Sequence, residues 1–81
     1  MLAMTYSTST KRSVTIAGHE TSVSLEPLFW GALEAAAAEE ALPLNALIAR
    51  IDVERLDGAL PPNLTSAIRQ WLFARERKAV R

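Results

Sequence analysis

The sequence contains no cysteine and a single histidine, His19. A disulfide framework, a thiolate metal site and a cysteine nucleophile are therefore excluded. One histidine also argues against a His-rich zinc site or a complete Ser-His-Asp arrangement on so short a chain. Net charge is missing too: nine Lys and Arg balance nine Asp and Glu. No apolar run approaches the roughly 18 residues needed to span a bilayer. Residues 1–10 have neither the charged nor the apolar segment of a secretory signal. A cytoplasmic protein without a membrane partner is the expectation. No nucleophile–base pair and no metal set is visible, so no enzyme activity, catalytic residue, metal or cofactor is expected. The adjacent carboxylates Glu39 and Glu40 diverge on a helix and are not read as a metal pair.

What is present is a small chain rich in apolar residues. Of 81 residues 49% are hydrophobic, too many for a disordered segment. A chain this short buries a limited core, and without Cys or metal the remaining staple is oligomerisation. The zero net charge hides a gradient. Residues 21–60 carry seven acids against Arg50 and Arg55, a net of −5, whereas residues 61–81 carry a net of +4. The ends are basic and the middle is acidic.

Along the chain, residues 1–10 are Ser/Thr-rich without periodicity and read as a mobile arm. Residues 11–81 form the domain. From Ser13 to Leu25, β-formers alternate, but Val14 and Ile16 have one parity and Val23 and Leu25 the other. A bulge or turn at Ala17-Gly18 must reset the register, giving either one interrupted strand or a short hairpin. Glu26-Pro27 opens a helix with Phe29, Trp30, Leu33, Ala36 and Ala37 on one face. Pro43 ends it near Leu42 and starts a second helix with the stripe Leu44, Leu47, Ile48 and Ile51. Asp57-Gly58 and Pro61-Pro62 stop that helix. Asn63 caps a third, with Leu64, Ile68, Trp71 and Leu72 inside and a basic tail from Arg75 to Arg81. Trp30 and Trp71 fall within apolar stripes and read as core rather than as base-stacking platforms.

A lone strand cannot satisfy its edges. A hairpin with helices can fold alone. The alternative pairs residues 20–25 with the same residues of a second chain, as an antiparallel two-stranded ribbon on a two-fold axis. Val23 and Leu25 would then face the helices, and Glu20, Ser22 and Ser24 the solvent. A two-stranded ribbon fits the DNA major groove.

The run SVTIAGHETSVSLEPLFW, residues 13–30, with NLTSAIRQWL after it, resembles the bacterial ribbon–helix–helix proteins of the MetJ/Arc type. The resemblance covers residues 11–74. It implies a mainly α fold with a short β-ribbon and an added C-terminal helix, assembled as an intertwined homodimer with an intermolecular two-stranded antiparallel sheet. It also implies a dimeric DNA-binding transcriptional regulator, repressor or antitoxin-like, whose ribbon enters the major groove with the second helix's start against phosphate. Candidate DNA contacts are Lys11, Arg12, Glu20, Ser22, Ser24 and Asn45. Expected dimer contacts are Thr21, Val23, Leu25, Trp30, Leu33, Leu47, Ile48 and Ile51. The chain departs from the pattern at Glu20, where relatives often carry Arg and where an acid repels phosphate. It departs again at Ala41 and Pro43, where many have Gly and Ser. Glu20 and the zero net charge favour a second reading: a dimeric protein-interaction module with the same fold, a protein partner and weak or no DNA binding. His19, after Gly18, reads as a turn residue, and the basic tail suits DNA flanks, an acidic partner or the helix dipole.

Overall fold

A computed structural model describes residues 6–79, Ala79 by its backbone alone. Residues 1–5 of the expected arm and Arg81 of the tail lie outside the described residues. The element order is β1 (Thr10–Ile16), β2 (His19–Leu25), α1 (Pro27–Glu39), α2 (Leu44–Leu56) and α3 (Leu64–Ala79).

The two strands form an antiparallel hairpin in register from Thr10↔Leu25 to Ile16↔His19. The loop between them is Ala17-Gly18, with φ of 52° and 81°. Positive φ at both loop residues gives the backbone twist that matches paired strands. This turn resets the parity. Directly opposed residues share a face, so Arg12, Val14 and Ile16 lie with Val23 and Leu25 on the inner side. Of the two readings of residues 13–25, the hairpin is the observed one. Within this chain β1 is the strand that pairs with β2, and each strand keeps one open edge.

α1 begins with Pro27 at its first position, where a missing N–H costs nothing. It ends earlier than Pro43 suggested. Glu40 is the C-cap and Ala41 turns left-handed at φ 56°. The Leu42 N–H then reaches back to the Ala37 carbonyl at 2.9 Å, and the Ala41 N–H to Ala38 at 3.1 Å. These bonds satisfy carbonyls that the helix end leaves open. α3 starts as expected: the Asn63 side-chain oxygen accepts the Ser66 N–H at 2.8 Å.

The core lies between the ribbon's inner face and the three helices. It contains Val14, Val23, Leu25, Trp30, Leu33, Ala36, Ala37, Leu47, Ile48, Ile51, Ile68 and Leu72, and no polar side chain is buried among the described residues. α2 packs on β1, α3 on β2, and α2 on α3. The Trp30 indole N–H donates to the Thr10 carbonyl at 2.8 Å and ties the start of the ribbon to α1. Seven of the residues expected at a dimer contact, Val23, Leu25, Trp30, Leu33, Leu47, Ile48 and Ile51, are buried inside this single-chain core. Within the chain these faces pack against one another and against β1 and α3. Thr21 alone of that set is exposed.

Candidate nucleic-acid interface

Alternation gives the ribbon an outer face made of Lys11, Ser13 and Thr15 from β1 and Glu20, Ser22 and Ser24 from β2. The register sets Lys11 against Ser24, Ser13 against Ser22 and Thr15 against Glu20. All are exposed except Ser24, which is partly covered. Four hydroxyls thus lie flanked by one cation and one carboxylate, with no apolar side chain between them. Such a face can donate to phosphates and can donate to or accept from base edges. Sequence reasoning placed Ser22, Ser24 and Glu20 here but missed Ser13 and Thr15. The signal for them was the alternation of residues 11–16, which becomes informative once β1 is paired with β2.

Arg12 does not share this face. It lies on the inner side, with its guanidinium 4.4 Å from the centre of the Trp30 ring and 3.1 Å from the Glu34 carboxylate. The desolvated ring face and the ion pair both hold it against α1. Lys11 is left as the ribbon's outward cation. His19 is exposed at the start of β2, opposite Ile16 and next to the turn.

Asn45 is exposed in the first turn of α2. Pro43 at the cap position contributes no side-chain hydrogen bond. Its carbonyl accepts from Ala46 and Leu47 at 3.0 and 3.1 Å. The N–H groups of Leu44 and Asn45 come before the first of these bonds and have no partner within the helix.

In the basic C-terminal region Arg75 is turned onto α1, while Arg77 and Lys78 are exposed. Arg75 bonds Glu39 at 2.6 Å and Glu40 at 2.9 Å, and Arg50 joins Glu40 at 3.2 Å. Two acids at the negative end of α1 are poorly placed for the helix dipole, and cations from α2 and α3 offset this. Hydrogen bonds from Arg75 and then Arg50 hold the Glu40 carboxyl below its ordinary value. The Glu39 and Glu40 carboxylates hold Arg75 above its own. At the other end of α1, Arg69 bonds Glu26 at 3.0 Å. A backbone hydrogen bond at Glu26 itself, and then the one from Arg69, keep that carboxyl low. Arg55 pairs with Asp52 at 2.8 Å. Every described arginine except Arg77 is thereby paired with an acid of the same chain. One acidic partner for the tail is the chain's own α1, a contact across 36 residues that no local pattern announces.

Among the described residues no helix is long and apolar enough to cross a membrane. A family model described as a ribbon-helix-helix domain matches residues 9–75. No curated protein and no solved structure matches the chain.

Proposed function

The chain belongs to the ribbon–helix–helix family, whose members are in general DNA-binding regulators without enzyme activity, and from that premise we propose that it is a homodimeric transcriptional regulator, repressor or antitoxin-like, acting in the cytoplasm. The observation that supports DNA contact is the outer face of the ribbon, hydroxyl-rich and free of apolar side chains. A ribbon of two strands has the width the major groove admits. Lys11, Ser13, Ser22 and Ser24 contact phosphates and base edges, Asn45 and the open amides beside it take a backbone phosphate, and Glu20 opposes the binding. A homodimer presents each of these residues twice.

The test is a titration of labelled DNA from the region upstream of the protein's own gene, at several salt concentrations. Each phosphate contact contributes about 0.9 to the slope of log affinity against log salt. Lys11→Ala is expected to weaken binding across all sequences and to flatten that slope. Glu20→Arg, which removes a repulsion and adds a bidentate donor for guanine, is expected to tighten binding and to add about 1–3 kcal/mol of discrimination for each good guanine contact made. If neither substitution changes affinity, the ribbon does not face DNA.

A second reading is favoured by one observation. Lys11 and Glu20 cancel on the ribbon, and the arginines that would attract phosphate are paired with acids of the chain. That charge pattern suits a protein-interaction module with the same fold and little DNA affinity. No retention of DNA even at low salt selects it.

A further inference from the structure

Two exposed patches remain outside the ribbon. The first is a shallow groove between α1 and α3, lined by Phe29, Arg69, Gln70, Phe73, Ala74 and Arg77. Phe73 is 65% exposed, a large apolar area for a solvated helix face. The Arg77 guanidinium lies 5.9 Å from the centre of its ring and has no acid partner among the described residues. The groove is therefore apolar with a free cation on its rim.

The second patch lies where α2 ends. Val53, Leu56 and Leu60 are 70%, 56% and 94% exposed. Val53 and Leu56 sit on the side of α2 opposite Leu47, Ile48 and Ile51, so this helix is apolar on two faces. Asp57 follows Leu56 at the helix cap and Glu54 lies in the last turn; both are exposed and without an ion pair among the described residues. Both acids lie at the negative end of the α2 dipole, where a cation from outside is stabilising. The patch is apolar with free acids on its rim.

The two patches complement each other in both respects. They cannot meet within one chain. The Arg55–Pro62 hydrogen bond of 3.1 Å holds the end of α2 near the start of α3, and about 13 Å of helix separates Leu64 from Phe73. We propose that the Val53–Leu56–Leu60 patch of one copy seats in the Phe29–Phe73 groove of a second copy, with Arg77 of the groove facing Glu54 and Asp57. This is a head-to-tail contact between unlike surfaces, which continues from copy to copy rather than closing on a two-fold axis. DNA is the poorer occupant of the groove, because an exposed phenyl ring gains nothing from phosphate. The contact is independent of the ribbon's role.

Sedimentation velocity over a wide concentration range tests it on the full chain. The wild-type mean mass is expected to rise with concentration, and to rise less in high salt. Arg77→Glu and Asp57→Arg should each weaken the association about tenfold, since each turns an attraction across the contact into a repulsion. Asp57→Arg also suits the local dipole, so it does not threaten folding; Phe73→Ser, at an exposed position, is a charge-independent second variant for the groove. An equal mixture of Arg77→Glu and Asp57→Arg should regain mass, because the first keeps an intact patch and the second an intact groove. A constant wild-type mass would overturn the proposal, as would variants that associate normally or a mixture that regains nothing. Loss of DNA retention by Arg77→Glu with no change in mass would overturn it as well and assign the groove to DNA.

Discussion

Ala17 and Ala41 both adopt positive φ, at 52° and 56°. Left-handed backbone brings the side-chain Cβ close to the following carbonyl, and glycine escapes that cost. Ala41→Gly is expected to stabilise the chain by about 1 kcal/mol, which in a domain of this size raises the melting temperature by about 4–8 °C. Gly18→Ala tests the same cost in reverse. No atom lies within 4 Å of where its Cβ would sit, so the loss of about 1 kcal/mol comes from φ alone. Thermal melts of the two variants should move in opposite directions. These residues also explain where sequence reading stopped short. Gly18 signalled a break in the ribbon, but an alanine does not advertise positive φ. The choice between an interrupted strand and a hairpin therefore stayed open at Ala17, and Pro43 rather than Ala41 was taken as the end of α1.

The ribbon's stability rests on its parity. Val23 is 1% exposed, whereas Ser22 beside it points to solvent. Val23→Asp should unfold the chain, since a buried, unpaired carboxylate costs several kcal/mol, about 3 or more. Ser22→Ala should leave the melting temperature nearly unchanged. Equal effects would show the strand shifted by one residue. This alternation was legible because it needs only neighbours in sequence, as were the Asn63 cap and the stripes of all three helices. The pairing of β1 with β2 brought Ser13 and Thr15 to the candidate interface and turned Arg12 away from it. That depended on the turn, which local pattern did not settle.

Across the whole molecule, α3 pins both ends of α1, through Arg69 to Glu26 and Arg75 to Glu39 and Glu40. The Glu26 and Glu40 carboxyls lie below their ordinary value of 4.5 in the folded chain. Their contribution is present in full above that value, and it is lost as pH falls below 4.5 through the folded-state values. Melting temperature should therefore drop as the solution is acidified through this window. Arg75→Ala removes the first cause of the Glu40 shift and should make the drop shallower. An unchanged acid profile in that variant would show that the clasp does not hold α1 and α3 together. None of these pairs could be read from local spacing, since each joins residues far apart in sequence.

A ribbon contributed by two chains carries a two-fold axis through its own centre, and the DNA beneath it would have to be palindromic at that point. The hairpin of β1 and β2 has no such axis. Its six outward residues are all different positions of one chain, so under the DNA-binding reading one copy meets an asymmetric stretch of sequence. Two copies related by a two-fold axis would then meet a palindrome and two copies head to tail a direct repeat, so the arrangement of half-sites records how the copies touch rather than how the ribbon is built.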